Sequence, residues 1–398
     1  MTSPPPSPPP SQAWSRAGSP SHQSNPPARE AHSLAAFRPV LSQLRAIAER
    51  ALPRMYEPAH GLFVFTQRPG AGHLVGSGLS VRYSAITMIG ANAVAAAPPP
   101  LDSSERQRVI DELFARGQSA GLGDTALIAW AGSNSTPPAL WDRIVALDAA
   151  HGRHPTVEVA WALAAMTLHG PEHTWATGRE VAERLIAACH PRSGLFPHVL
   201  GGSGFRAHVA CFADQVYPIH ALAKYAQRFG DRQALDVASR CATEICRLQG
   251  DAGQWWWHYD ARTGAVIEPY PVYAIHQDAM APMALLALEA AGGASLLEHV
   301  NRGLDWLSAS PELRGESLID TDRDMVWRKV ARREPGKASR YLQAVASRVS
   351  PGLRVPGLDQ LFPPSAVDYE DRPYHWGWFL YAWGSDHREP AIDAGIGG

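Results

Sequence analysis

From residue 33 onward the chain alternates between two kinds of helical pattern. In both, apolar residues recur at helical spacing, and Gly- or Pro-rich stretches separate the runs. The first kind carries charged residues along one side, which is typical of a helix on a protein surface. The second kind is short, rich in Ala and aromatic residues, and almost uncharged along its body. A helix of that kind must be surrounded by other helices.

The two kinds alternate six times and predict six helical hairpins. The charged helices span residues 34–55, 104–117, 140–151, 174–190, 232–249 and 295–308, and the uncharged ones 80–96, 124–131, 156–168, 214–229, 278–290 and 373–383. An outer ring of charged helices around an inner ring satisfies both patterns, so we predict an all-α (α/α)6 toroid over residues 33–384. The loose period of about 40 to 60 residues favours this closed toroid over the alternative, a superhelical stack of helix pairs.

Both ends of the chain and one long insert depart from the pattern. Residues 1–32 contain nine of the 34 prolines and almost nothing apolar, which predicts a disordered tail. Residues 385–398 are predicted to be a flexible C-terminal tail. The insert, residues 311–371, separates the last two helices, and inserts of this length are usually functional loops or lids.

Composition narrows the class of protein. Hydrophobic residues make up 45% of the chain and charged residues 19%, which suits a large core, and the net charge of −2 argues against a nucleic-acid partner. No apolar stretch is long enough to span a bilayer, and the N-terminus lacks a secretory pattern, so we expect a cytoplasmic protein with no integral membrane segment. The four cysteines form no CxxC pair and are expected to be free, most of them buried: Cys189, Cys211, Cys241 and Cys246.

The polar residues of the uncharged helices are concentrated in their first turns. Because all inner helices of a toroid run the same way, their N-termini converge on one mouth, and these residues are expected to ring a single pocket. Helix capping is the alternative for each acid, since Asp and Glu favour the first turn of any helix, and we assign Asp124 to that role. Asp214 and Asp278 each stand next to Gln and near Tyr or His, which favours a functional role.

These first turns supply the candidate catalytic residues. Glycoside hydrolysis needs one protonated and one ionised carboxyl, for which we predict Asp214 and Asp278, with Glu158 and Glu370 in reserve. A histidine acid or base, His276 or His375, would suit a lyase or an epimerase better. The predicted substrate-binding residues are the polar and aromatic side chains nearby: Arg82, Tyr83, Gln215, Tyr217, Trp257, Tyr259, Tyr273, Gln277, Arg372, Tyr374 and His375.

Thirteen Trp residues and a recurring unit of Gly followed by an aromatic residue need an explanation. The unit resembles a β-turn with an anchoring aromatic, and we assign Trp255 to packing. Trp257, Tyr259 and Tyr273 are predicted to form a wall on which sugar rings stack, with packing as the alternative.

The insert contains two charged motifs. The aspartates at 320, 322 and 324 would need more oxygen ligands and a Gly turn to bind a metal ion, so we predict no metal and no cofactor. The basic run from Arg328 to Lys337 is interpreted as a solvated helix face. Its alternative role is to hold a carboxylate or phosphate of the substrate.

The barrel as a whole resembles the six-hairpin glycosidase-like toroids, which include glycoside hydrolases, polysaccharide lyases and sugar epimerases. That resemblance implies carboxylates at the inner-helix ends of an aromatic-lined cleft, as the predicted residues supply. The run Gln249-x-x-x-Gly253-x-Trp255 also resembles the Gln-Gly-Trp repeat of terpene cyclase and prenyltransferase toroids. The acidic motifs of that second group are absent from the sequence.

We therefore predict a carbohydrate-active enzyme that cleaves or remodels an oligo- or polysaccharide as a hydrolase, lyase or epimerase. Its partner is a carbohydrate or another small-molecule substrate. The alternatives are an isoprenoid cyclase or prenyltransferase and a non-catalytic glycan-binding toroid.

Overall fold

A computed structural model describes residues 38–94, 101–204, 206–350 and 352–384 of the protein. The two predicted tails, residues 1–32 and 385–398, lie outside these ranges. Within them the α-helices, in chain order, are α1 (Arg38–Met55), α2 (Val81–Ala93), α3 (Ser103–Gly117), α4 (Leu122–Gly132), α5 (Pro138–Ala146), α6 (Thr156–His169), α7 (Trp175–Ala188), α8 (Ala213–Phe229), α9 (Arg232–Arg247), α10 (Ala281–Ala290), α11 (Leu297–Ser308), α12 (Ala338–Val349), α13 (Leu358–Leu361) and α14 (Pro373–Trp383).

Two concentric rings of helices confirm the predicted (α/α)6 toroid. Helices α2, α4, α6, α8, α10 and α14 each contact the next, and α14 contacts both α10 and α2, which closes the inner ring. Helices α1, α3, α5, α7, α9 and α11 pack around it. Ten of the eleven residues of α4 are buried, as an inner helix requires, whereas α9 buries only one stripe of its surface.

The inner ring closes where α2 and α14 cross almost backbone to backbone. A Cβ atom on Gly90 would lie 2.1 Å from the carbonyl oxygen of Gly377, and one on Gly377 would lie 2.5 Å from that of Ile86. No side chain fits at either position, so the two glycines permit the approach.

Short strands distinguish the structure from the all-helical expectation. In chain order they are β1 (Tyr56–Glu57), β2 (Leu62–Pro69), β3 (Leu74–Leu79), β4 (Val209–Cys211), β5 (His258–Asp260), β6 (Val266–Glu268), β7 (Val272–Tyr273), β8 (Ile319–Asp320), β9 (Met325–Val326), β10 (Lys329–Ala331) and β11 (Ala366–Asp368). They pair antiparallel in the orders β1-β2-β3, β4-β5-β6, β11-β10-β7 and β8-β9. Every one of them lies in a connection that leads from an outer helix to the next inner helix.

The strands therefore collect at the end of the toroid where the inner helices begin. The 311–371 insert contributes β8 to β11 together with α12 and α13, and β10 pairs with β7 of the preceding connection. The long connections thus surround the same mouth at which the first-turn polar residues converge. This arrangement places the candidate site at that mouth.

Among the helix boundaries that differ from the prediction, two coincide with distinct local structures. The third outer helix ends at Ala146 instead of residue 151, and Asp148 behind it has a left-handed backbone, with φ at 51°. The fifth inner helix begins as a π-helical turn, His276–Met280, before α10 continues it. Such turns are rare and often occur at functional sites.

The cysteine and membrane expectations can also be compared with the structure. All four cysteines are free; Cys189, Cys241 and Cys246 are buried, and Cys211 is partly exposed. In the described ranges no helix has the length and apolar character needed to cross a membrane. The cytoplasmic location stays a prediction.

Candidate active site

Three charged residues from the first turns of three inner helices meet at the mouth. The Arg82 Nε–H on α2 donates to Asp124 Oδ1 on α4 at 2.6 Å, and a terminal N–H of the same guanidinium donates to Glu158 Oε1 on α6 at 3.4 Å. The side chains of Asp124 and Glu158 are 33% and 22% exposed, respectively. Burial opposes the charge of Arg82, but the two carboxylates hold the pKa of its guanidinium above the ordinary value. One guanidinium thus joins two solvent-facing carboxylates.

The pairing corrects the capping role predicted for Asp124. Gly121 is the N-cap residue of α4, and Asp124 points its side chain across to Arg82 instead. Glu158 is the less tightly held carboxylate of the two, because its bond from Arg82 is the longer one. Its other oxygen accepts the Gly123 N–H at 3.3 Å.

An aromatic stack stands beside this group. Tyr83, next to Arg82, stacks on Tyr374 with ring centres 4.4 Å apart and on Phe65 at 5.2 Å. Arg372 donates to the Tyr83 hydroxyl at 2.8 Å and lies over the Phe65 ring at 4.4 Å. Phe65 is 40% exposed, so the stack presents an apolar surface to solvent at the mouth.

Glu370 is the centre of a network of arginines. Its side chain is fully buried and accepts hydrogen bonds from Arg68, from Arg328 at 2.7 Å and from Arg372 at 2.8 Å. Burial opposes its ionisation, but Arg68, Arg328 and Arg372 together hold the pKa of Glu370 below its ordinary value. Glu370, which we predicted as a reserve catalytic carboxylate, is therefore a buried counter-ion that a substrate does not reach.

The basic run of the insert is not the solvated helix face we expected. Arg328 immediately precedes strand β10, and Lys329 and Arg332 lie in and just after it, all with mostly buried side chains. Arg332 donates to the buried Glu268 at 2.8 Å, while Lys329 pairs with Asp368. Arg328 lies over the Tyr273 ring at 5.2 Å, which brings positive charge to the mouth.

Two aspartates of the insert motif, Asp320 and Asp324, form ion pairs. Asp324 accepts hydrogen bonds from Arg50 at 2.8 Å and from Arg54 at 3.3 Å, both on outer helix α1. Asp320 pairs with Arg323 at 2.8 Å. The Asp324 contacts fasten the β8–β9 hairpin to α1, and the Asp320–Arg323 pair lies within the hairpin itself.

Asp278 lies beneath the mouth rather than in it. It is fully buried and accepts a hydrogen bond from His375 Nε2 at 2.8 Å. Burial disfavours the charged imidazole, but the Asp278 carboxylate outweighs it and raises the pKa of His375. Burial raises the pKa of the neighbouring Asp371 to about 6, while Trp376 Nε1–H donates to that carboxylate at 2.8 Å. Asp278, half of our first predicted pair, is thus occupied by His375.

Asp214, the other half of that pair, is also fully buried. Its carboxylate accepts a hydrogen bond from His198 Nδ1–H at 3.0 Å and another from the Cys211 backbone N–H at 2.8 Å. The hydrogen bond to Asp214 raises the pKa of His198. Asp214 and Asp278 have separate histidine partners and do not form a pair with each other.

The predicted amide ligands act as backbone clamps. Gln215 receives the Phe196 N–H at 2.8 Å and donates to the Phe196 carbonyl at 3.0 Å, which fixes the connection before α8. Gln277 donates to the Tyr273 carbonyl at 3.1 Å. Both side chains are fully buried, so neither faces a substrate.

The predicted stacking wall is only partly at the mouth. Tyr259 is fully buried in the core, so its assignment to the wall is wrong, whereas Trp257 is half-buried and lies 4.8 Å from Tyr273, ring centre to ring centre. Trp255 is fully buried, as its packing role requires. Gln249 donates to the Gly253 carbonyl at 2.9 Å, so the Gln-Gly-Trp run is a packing element.

His276 lies in an aromatic cage and not in a polar one. Its ring stacks on Trp257 at 5.8 Å and contacts Phe212 at 4.6 Å and Tyr273 at 5.0 Å. Its Nδ1 atom has no hydrogen-bond partner among the described residues. Burial lowers the pKa of His276 to about 3, which disfavours the role of acid or base we predicted for it near neutral pH.

Replacing His276 with Phe is expected to make the protein more resistant to acid. Because its folded-state pKa lies below the unfolded value of about 6.5, the neutral imidazole contributes stability above that pH and loses it as the pH falls towards 3. Between pH 7 and pH 4 this loss amounts to about 3 kcal/mol, which Phe removes. Denaturant unfolding at the two pH values measures it. Equal acid-induced losses in the wild type and the variant would contradict it, and His60→Phe, at an exposed histidine, is the control.

Tyr217 connects the parts of the mouth. It is nearly buried and meets Trp161 edge to face at 5.1 Å. Burial raises the pKa of its hydroxyl well above the ordinary value, with Tyr374 and Arg82 among its electrostatic neighbours. The Arg82 group, which consists of Arg82, Asp124 and Glu158, and the aromatic stack of Phe65, Tyr83 and Tyr374 therefore belong to one site.

Several site residues have no direct signal in the sequence. Phe65 and Arg68 belong to strand β2. Because they lie outside the first turns of the inner helices, the sequence pattern does not indicate that they reach the mouth. His198 follows one of the Gly-aromatic units, Gly194-Leu195-Phe196, whose pattern predicts a turn with an anchoring aromatic and does not single out the histidine.

The far end of the toroid holds a different kind of space. A cavity of about 230 Å³ opens where the inner helices end, lined by Ile89, Asn92, Ala93, Trp130, Ser133, Leu168, His169 and Tyr381. No carboxylate belongs to this lining, so the cavity lacks the acids that glycosidic chemistry requires.

The closed double ring defines an (α/α)6 toroid. The chain is similar to an unsaturated glucuronyl hydrolase specific for heparin, with 12% identity and a TM-score of 0.58 over 88% of this chain and 96% of that one. A glycosidase in complex with glucose matches with 13% identity and a TM-score of 0.52, over 87% of this chain and 97% of that one.

A third similar structure is a possible member of the GH105 family from Salmonella enterica subsp. enterica serovar Paratyphi A. It shares 11% identity and a TM-score of 0.52, over 86% of this chain and 92% of that one. At such identities the likeness establishes the fold alone. No protein-family model and no curated protein matches the sequence.

Proposed function

We propose that the protein is a glycosidase that hydrolyses glycans carrying anionic sugars. The observation that carries the proposal is the Arg82 group, in which two partly exposed carboxylates from neighbouring inner helices share one guanidinium. Glycoside hydrolysis uses two carboxyls on either side of the scissile bond, and this arrangement brings two of them together at an open mouth. Fold similarity to glycosidases agrees with the proposal.

The two carboxylates have different roles in this proposal. Glu158, which Arg82 holds less tightly, is the proton donor to the leaving oxygen. Asp124, with the shorter bond to Arg82, stabilises the positive charge that develops on the sugar ring or orients the attacking water. Arg82, resting on Trp161 at 5.2 Å, keeps both acids in position.

Hydrolysis is favoured over the lyase and epimerase mechanisms by the state of the two histidines predicted to serve them, His276 and His375. His276 is caged by aromatic rings, and His375 is bound to Asp278, so neither offers an open acid or base at the mouth. Asp124 and Glu158 can still act as the carboxyl pair that glycoside hydrolysis requires.

The preference for anionic sugars follows from the charges beside the stack. Four cationic side chains surround the two carboxylates of Glu370 and Asp368, namely Arg68, Arg328, Lys329 and Arg372. The positive charges outnumber the negative ones in this group. A uronate carboxylate or a sulfate would bind there through charge-assisted hydrogen bonds, while the exposed Phe65 ring receives a sugar face. The proposal agrees with the similarity of the fold to an unsaturated glucuronyl hydrolase specific for heparin.

Turnover of a matched oligosaccharide panel tests the proposal. The panel contains saturated uronate-ended, unsaturated uronate-ended and neutral oligosaccharides of equal length, and mass spectrometry detects the products. Uronate-ended substrates are expected to be cleaved at least tenfold faster in kcat/KM, with a KM that rises with NaCl because the recognition is electrostatic. Cleavage of neutral substrates alone would overturn the charge preference, and no cleavage of any substrate would overturn the proposed function.

A further inference from the structure

We propose that His198, Cys211 and Asp214 form a binding site for a divalent metal ion of the zinc type. One ligand atom from each residue, an imidazole nitrogen, the thiol sulfur and a carboxylate oxygen, lies within 4.8 Å of the other two. The site is separate from the Arg82 group and does not depend on the proposed glycosidase activity.

Three adjoining segments bring the ligands together. His198 lies in the connection between α7 and α8, Cys211 ends strand β4, and Asp214 is the second residue of α8. The buried Asp214 carboxylate is oriented by the Cys211 backbone N–H at 2.8 Å and touches the His198 ring at 3.0 Å. The His198 side chain is 57% exposed, so a metal ion can approach the ligand set from solvent on that side.

The spacing fits a tetrahedral ion. Zinc bonds of about 2.0–2.3 Å place tetrahedral ligand atoms about 3.3–3.8 Å apart, so the three atoms need only small side-chain movements to close on one ion. A thiolate with an imidazole selects zinc-like ions over magnesium or calcium, which prefer oxygen ligands. The thiolate and the carboxylate together balance the two positive charges.

A fourth group stands beside the three. Cys211 is paired with His258 across the β4–β5 ladder. Directly opposed residues of an antiparallel pair project to the same face, with Cβ atoms about 4.5–5.5 Å apart. His258 is thus placed either to complete the coordination or to flank an open position for water, as catalytic zinc sites keep.

Cobalt titration of the chelator-treated, reduced full-length protein tests this site. One equivalent of Co²⁺ is expected to produce a sulfur-to-cobalt charge-transfer band, which Zn²⁺ then displaces. Cys211→Ser should abolish the band, and His198→Ala should weaken cobalt binding at least tenfold. The matched controls are Cys246→Ala, at a buried thiol on α9, and His60→Ala, at an exposed histidine; both should retain the band.

Two results would overturn the metal site. One is a wild-type protein that shows no charge-transfer band under excess Co²⁺, and the other is a band that persists in Cys211→Ser. Circular dichroism and the thermal midpoint of each metal-free variant establish that it is folded, and His198→Ala serves this purpose best because its side chain is exposed.

Discussion

Glu158→Gln is expected to abolish glycan cleavage and to leave the protein folded. The amide keeps the size of the side chain but cannot donate a proton as a carboxylic acid does, and general acids contribute about 10²- to 10⁴-fold to rate. We therefore expect kcat on a uronate-ended substrate to fall about 10³-fold. The thermal midpoint should change little, because Glu158 is partly exposed and its bond from Arg82 is long, at 3.4 Å. Glu180→Gln, on the exposed face of outer helix α7, is the control.

A substitution at Gly123 is expected to displace the Glu158 carboxylate while leaving Glu158 itself unchanged. A Cβ atom on Gly123 would lie 2.7 Å from the Glu158 Cγ atom, so Gly123→Ala must displace the acid. At Gly121, two residues earlier, no atom lies within 4 Å of the corresponding position. We expect Gly123→Ala to lower kcat at least tenfold and Gly121→Ala to have no effect. Equal activity of the two variants, or wild-type turnover by Glu158→Gln, would remove Glu158 from the mechanism.

The toroid could be predicted because burial leaves a local pattern in each helix. An inner helix such as α4 is surrounded on all sides, so its sequence contains almost no charge, and an outer helix such as α9 repeats apolar residues on one face only. Convergence of the first turns on one mouth followed from the topology alone. The short strands could not be predicted, because segments of two or three residues are too brief to show an alternating pattern.

The site could be predicted only to the level of its location. Asp124 and Asp278 both stand near the start of an inner helix, but their roles depend on partners far away in sequence. Arg82, which binds Asp124, is 42 residues away, and His375, which binds Asp278, is 97 residues away. No local pattern identifies such partners, so sequence reasoning ranked Asp278 first and assigned Asp124 to capping. The roles we propose reverse that order, because the Asp124 side chain is partly exposed and that of Asp278 is buried.

The contrast between Glu158 and Glu370 illustrates the same dependence on partners. Both are glutamates near the mouth, and both bind arginine. Glu158 has one long bond to a guanidinium that it shares with Asp124, which leaves it available to a substrate. Glu370 is fully buried and is bound by three guanidinium groups, so we expect the loss of its charge to affect the stability of the fold. The same substitution at the two positions should therefore act on different properties.

Glu370→Gln is expected to destabilise the protein strongly. Removing one partner of a buried ion pair leaves uncompensated charge and costs about 3–5 kcal/mol, and here three guanidinium groups lose their shared carboxylate. For a chain of this size that corresponds to a fall of about 5 °C in the thermal midpoint. Differential scanning fluorimetry of Glu370→Gln beside Glu158→Gln and Glu180→Gln measures the difference. If Glu370→Gln kept the wild-type midpoint and lost only kcat, Glu370 would be a catalytic acid, as the sequence had suggested, and the counter-ion role would be wrong.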